Sequence, residues 1–133
     1  MVKGKILIVD DCHKDIELTK IALKATGREL NVRHVTDGKS ALKKLRNSGW
    51  LPSLVLLDLN MPGMGGIEVL REMRVDQRLK ELPVVVVTSS SRESDKADAI
   101  TAGANGYVRK SLSLALFSKD LDSMMDRLLP DFA

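Results

Sequence analysis

Short apolar runs punctuate the chain at wide intervals, each bounded by polar or turn residues. They fall at residues 6–9, 54–57 and 84–87, with a weaker one at Tyr107 and Val108. Residues 31–35 form a fifth, more polar candidate, which predicts an edge strand. Continuous rather than alternating apolar runs fit parallel strands covered on both faces. Helical patterns fill the gaps. Residues 13–25 carry Ile16, Ile21, Ala22 and Leu23 and stop at Gly27, a glycine suited to a C-terminal cap. Residues 39–47 show Ala41, Leu42 and Leu45, and a third stripe is Ile67, Leu70 and Met73. Ser90 and Glu93 have capping-box spacing ahead of a fourth helix running to Gly103. Residues 113–129 repeat Leu114, Phe117, Leu121, Met124 and Leu128 at three-four spacing.

Strand and helix thus alternate five times, which predicts an α/β, doubly wound parallel sheet. The 133 residues suit one domain burying about two-thirds of its unfolded surface. No repeat, linker or low-complexity tract interrupts it, and the tail at residues 130–133 is too short to be an effector. No apolar run approaches the roughly 20 residues of a membrane span. Lys3 and Lys5 flank a strand-like run without a cleavage-type ending, which argues against a signal peptide. A single cysteine, Cys12, excludes an intrachain disulfide and points to a reducing compartment, hence the cytoplasm.

Charge changes this picture little. Lys and Arg total 21 against 18 Asp and Glu, interspersed along the chain, for a net charge of +3. With only four aromatics (Trp50, Tyr107, Phe117 and Phe132) and no dense basic run, nucleic acid is not an expected partner.

The informative chemistry sits at strand ends, because ligands of open parallel sheets bind beyond the carboxyl ends of the strands. The first run ends in Asp10-Asp11, the third leads into Asp58, the fourth ends in Thr88-Ser89, and Lys110 closes the fifth. Taken singly these residues have ordinary roles: Asp11 as a helix N-cap, Thr88 as a turn residue, Lys110 as an exposed lysine. Together they put three carboxylates, a hydroxyl and an ammonium on one edge. Like charges at close range are costly, and a hard cation such as Mg²⁺ removes that cost while leaving room for phosphate oxygens. Lysine adds a point charge suited to a phosphoryl oxygen.

These motifs, in this order, resemble the receiver domain of bacterial two-component response regulators. The acidic pair matches Asp10-Asp11, the phosphoacceptor segment matches residues 56–66, Thr88 stands at the family's interval, and Tyr107 to Lys110 preserves the aromatic-to-lysine spacing. The likeness extends over about residues 3–129. It implies a flavodoxin-like sheet of five parallel strands in order 2-1-3-4-5 with five helices. It also implies one receiver over residues 1–133, without an effector domain, acting as a switch rather than an enzyme. Asp58 would accept a phosphoryl group from a sensor histidine kinase or phosphotransfer protein. Asp11, Asp58 and the Asn60 carbonyl would hold Mg²⁺, with Asp10 acting through a bound water. Lys110 and Thr88 would grip the phosphoryl oxygens, and Tyr107 would follow Thr88 inward. Asn60 and Ser90 would tune the phosphoryl lifetime. Output would be a contact with a downstream protein.

Several positions depart from the family pattern. Ser111 stands where proline usually follows the lysine; a cis bond there would cost about 2.5–4 kcal/mol, which favours trans. Gly65 replaces a common aspartate and weakens the N-cap of the third helix. Ser89 replaces a smaller residue at the approach to the site. Cys12 and His13 read as a helix-start residue and a solvent-facing imidazole rather than a redox switch and a metal ligand, and His34 takes no functional role. The Lys-Ser pair, together with Leu82-Pro83 ahead of the valine strand, is similar to small receivers paired with bacterial and cyanobacterial phytochrome kinases. The last helix bears a broad apolar arc, with Leu116 roughly opposite it, which suggests a partner or homodimer surface. An alternative, a Mg²⁺-dependent phosphohydrolase of the dehalogenase type, is disfavoured by Asn60, where such enzymes place a second aspartate, and by the lack of room for a cap domain. A nucleotide- or flavin-binding module would need a glycine-rich turn after the first strand, where this chain is acidic.

Overall fold

The computed structural model describes residues 4–47 and 49–129. Lys3 and the tail at residues 130–133 lie outside the described residues. The chain alternates strand and helix: β1 (Gly4–Val9), α1 (His13–Ala25), β2 (Leu30–Val35), α2 (Gly38–Asn47), β3 (Leu54–Leu57), α3 (Gly66–Val75), β4 (Val84–Thr88), α4 (Glu93–Ala102), β5 (Gly106–Arg109) and α5 (Leu114–Leu128). The five strands are all parallel, in the order β2-β1-β3-β4-β5.

Alternation of side chains along each strand sends successive residues to opposite faces. Leu7, Val9, Val55 and Leu57 pack beneath α2 and α3, against Leu42, Leu45, Leu70 and Met73. Ile6, Ile8, Leu54, Leu56, Val85 and Val87 face α1 and α5, against Ile16, Leu23, Phe117 and Leu121. Both faces of β3 and β4 are therefore covered, which is why their sequences are unbroken apolar runs. β2 is the edge strand its polarity predicts, with Arg33 and His34 exposed. Helix α4 is the least anchored: Ala99 is its one buried residue, set against Leu59 and Val86.

Helix ends differ from expectation at two places. Ser90 and Glu93 do not form a capping box. Helix α4 begins at Glu93 with Arg92 in the N-cap position and no side-chain cap. The Ser90 hydroxyl bridges the preceding loop and the first turn of α4, accepting from the Arg92 amide at 3.2 Å and donating to Asp95 at 2.5 Å. The N-cap position of α1 falls to Cys12 rather than Asp11, because the amide of Cys12 donates to Asp10 Oδ1 at 3.0 Å and turns the chain one residue later. Gly65 precedes α3 without a side-chain cap, as its lack of an oxygen requires. In α5, Phe117, Leu121 and Met125 are buried, but Leu114 is 37% exposed, because the first helical turn lies along the groove beside Ala25 and Thr26. Among the described residues no peptide bond is cis, so Lys110–Ser111 is trans.

Candidate functional site

The site is assembled by the parallel ladder. Val9 and Leu57 are register partners, and the Asp58 amide donates to the Val9 carbonyl at 2.9 Å, so Asp10 and Asp58 leave the sheet side by side. Asp11 follows as an exposed residue. One carboxylate oxygen each from Asp10, Asp11 and Asp58 lies within 4.8 Å of the others. Across β4, the Lys110 amide donates to the Thr88 carbonyl at 2.8 Å, extending the β4–β5 pairing by one residue and aiming the lysine back over the acids.

Asp10 and Asp58 are buried, at 3% and 7% exposure. Burial pushes the Asp58 carboxyl up to about 6; the Lys110 charge and the Asn60 amide oppose that shift, while Asp10 and Asp11 add to it. The Lys110 ammonium donates to Asp10 Oδ2 and to Asp15 Oδ2, each at 2.8 Å, and stands 3.8 Å from Asp58 Oδ1. Burial works against its charge, yet the hydrogen bonds to the two acids and the nearby Asp58 outweigh it, so its pKa is raised. One ammonium thus faces three carboxylates, with that of Asp11 beside them, leaving an excess of negative charge in a partly desolvated pocket. Oxygen donors converging in this way suit a hard divalent cation, and a cation beside the lysine suits an anionic phosphoryl group.

Thr88 is fully buried at the end of β4, and its hydroxyl accepts from the Ser90 amide at 3.3 Å. Tyr107 is set further out. Its hydroxyl donates to the Ser90 carbonyl at 3.0 Å, so the tyrosine contacts the β4–α4 loop rather than the acids. Asn60 and Ser89 are exposed at the rim. Cys12 is partly buried at the start of α1, and His13 is exposed beside it. His34 sits on the edge strand, its pKa lowered by burial and by Lys20.

The residue that the strand-end reading does not include is Asp15. It is the third residue of α1 and one helical turn beyond Asp11, so it looks back toward the pocket. That spacing is the one signal in the chain that points to it.

The model of the response regulator receiver domain family matches residues 6–122. The chain belongs to that family. Among curated relatives of this receiver, the chemotaxis protein CheY-3 of Vibrio cholerae serotype O1 is 37% identical over 124 residues, covering 93% of each chain. Among solved structures, the phosphorylated cyanobacterial phytochrome response regulator RcpA is similar with a TM-score of 0.86 and 34% identity, covering 99% of this chain and 98% of that one. The Mn²⁺-bound form of the response regulator Rcp1 is similar with a TM-score of 0.80 and 32% identity, covering 95% of each. The receiver is accordingly a signalling module of the two-component type. No helix among its described residues is long and apolar enough to cross a membrane.

Proposed function

We propose that this receiver is a phosphorylation-controlled switch in which Asp58 accepts a phosphoryl group from a phosphohistidine of a sensor histidine kinase or phosphotransfer protein. The observation that carries this reading is the placement of Lys110 at 3.8 Å from Asp58 within the cluster of Asp10, Asp11 and Asp58. A carboxylate oxygen of Asp58 forms the new bond to phosphorus as the donor's N–P bond breaks. The electron pair of that bond stays on the imidazole nitrogen, and Asp58 becomes an acyl phosphate.

Asp11 and Asp58 would hold Mg²⁺ with the Asn60 carbonyl, and Asp10 would act through water. Bound there, the cation supplies charge neutralisation between nucleophile and phosphoryl group. The Mn²⁺-bound Rcp1 relative supports a divalent ion in this fold. Lys110 neutralises the phosphoryl oxygens, and Thr88 donates its hydroxyl to one of them in exchange for its loop contact. Water later hydrolyses the acyl phosphate, at a rate tuned from the positions of Asn60 and Ser90.

We read residues 1–133 as one cytoplasmic receiver whose output is a contact with a downstream protein or a second copy. Coverage of nearly all of CheY-3 and RcpA supports this reading. Thr88, Ser90 and Tyr107 are linked in series, so a shift of Thr88 reaches the lightly anchored helix α4. Ile100 and Leu116 offer apolar contact area on α4 and α5, at 48% and 51% exposure. The likeness to RcpA supports a phytochrome-type kinase as donor.

The test is intact-mass spectrometry after treatment with acetyl phosphate and Mg²⁺. One added phosphoryl group, abolished by Asp58→Asn, is expected; an Asp58→Asn protein that still gains it refutes the assignment. Phosphotransfer profiling across kinases tests the partner, and indifference to a phytochrome kinase removes that part alone.

A further inference from the structure

An ammonium has three N–H donors, and two of those on Lys110 are committed. They go to Asp10 and to Asp15, both at 2.8 Å, whereas Asp58 lies at 3.8 Å, beyond hydrogen-bond reach. The two anchors are unequal. The Asp10 side chain is 4% exposed and that of Asp15 is 36% exposed. Asp15 also stands apart from the three acids whose oxygens converge within 4.8 Å. Its connection to the site runs through Lys110.

We propose that Asp15 is a positioning residue that holds Lys110 back from Asp58 in the unphosphorylated chain and competes with the phosphoryl group for the ammonium. This rests on Asp58 being the phosphoacceptor. When a phosphoryl group arrives, one anchor of Lys110 loosens. Releasing Asp15 is the cheaper course, because water can replace the lost bond at its more exposed carboxylate, whereas Asp10 would lose its cation in the interior and keep only the Cys12 amide as a partner among the described residues. Asp15 also adds negative charge beside a pocket in which the Asp58 carboxylate, of charge −1, becomes an acyl phosphate of about −2. Its presence therefore acts on anion and cation in opposite directions: it opposes the phosphoryl group and favours the metal.

That opposition of sign gives the test. Calorimetric titration measures Mg²⁺ binding first, and then beryllofluoride, an acyl-phosphate mimic that does not turn over, at saturating Mg²⁺. Asp15→Asn is expected to tighten beryllofluoride by about three- to tenfold and to weaken Mg²⁺ by about two- to threefold. A merely structural role at the start of α1 would weaken both. The beryllofluoride gain should persist in about 0.5 M salt, where the Debye length is only a few ångströms, because it comes from a released contact. The ¹⁵Nζ resonance of Lys110 should shift in the variant, as it should in the wild type on beryllofluoride binding.

Unchanged or weakened beryllofluoride binding by Asp15→Asn overturns the role of Asp15, and so does a gain that salt abolishes. Absence of beryllofluoride uptake by the wild-type chain overturns the phosphoacceptor assignment instead, and this proposal with it.

Discussion

Gly66 lies against the backbone of Asp58 so closely that a Cβ at Gly66 would overlap the Asp58 carbonyl oxygen and crowd the Leu59 Cα at 2.8 Å. The first residue of α3 thus abuts the strand end that carries the proposed phosphoacceptor. Both obstacles are backbone atoms, so neither can rotate away. Gly66→Ala is expected to cost about 2–3 kcal/mol through overpacking, seen as a lower urea midpoint with unchanged slope. A midpoint equal to that of the wild type would show that α3 shifts freely.

The buried acid at Asp58 makes stability depend on pH. Its carboxyl titrates near 3.8 when unfolded and at about 6 in the fold. Between those values the native state binds more protons than the unfolded state, so stability falls as pH rises through this window. The change is on the order of 2–3 kcal/mol. In chelator, Asp58→Asn should exceed the wild type by that amount near neutrality and match it at about pH 4. Urea unfolding at the two pH values measures the gap, and a gap independent of pH contradicts the assignment.

Mg²⁺ should act on the same charge. A ligand that binds only the native state stabilises it in proportion to the logarithm of its concentration. Saturating Mg²⁺ is therefore expected to raise the melting temperature of the wild type at neutral pH, and to raise that of Asp58→Asn much less. Equal shifts for the two proteins would place the cation elsewhere.

Lys110→Met keeps the volume and removes the charge. Asp10 is then buried without the cation that now lies 2.8 Å away. Removing one partner of a buried ion pair costs about 3–5 kcal/mol, and less where one acid is half exposed. The folded-state pKa of Lys110 is raised above 10.5, so its contribution is complete below that pH and is lost as pH climbs through the higher folded value. Metal-free denaturation at neutral pH should show the deficit, and Mg²⁺ should recover part of it.

Tyr107→Phe removes the donor to the Ser90 carbonyl. The expected loss is about 1 kcal/mol, confined to the β4–α4 loop because α4 has little other anchorage. Hydrogen exchange should quicken at residues 89–95 and stay unchanged in β1 and β3. Uniform quickening would mean that the tyrosine supports the core instead.

Much of the fold and of the candidate site is legible in the amino-acid sequence. The unbroken valines of β4 and the polar residues of β2 declare central and edge positions, because burial on both faces leaves no polar alternation. Asp10, Asp11, Asp58 and Lys110 are readable as one site, since parallel strands with right-handed crossovers bring all their carboxyl ends to one edge. Ser90 is misleading: its spacing to Glu93 fits a cap, yet its hydroxyl is captured by the Arg92 amide and by Asp95 in the first turn of α4. Asp15 is signalled only by its one-turn spacing from Asp11, because its partner, Lys110, lies 95 positions along the chain.

The order of apolar runs, turns and charged strand ends is enough to specify the layers of the fold and the chemical types gathered at its edge, since both follow from local periodicity and topology. Which acids the single ammonium satisfies, and which it stops short of, is not encoded in spacing. It depends on how α1 and β5 settle against the sheet, where a displacement of one ångström separates a 2.8 Å hydrogen bond to Asp15 from a 3.8 Å approach to Asp58.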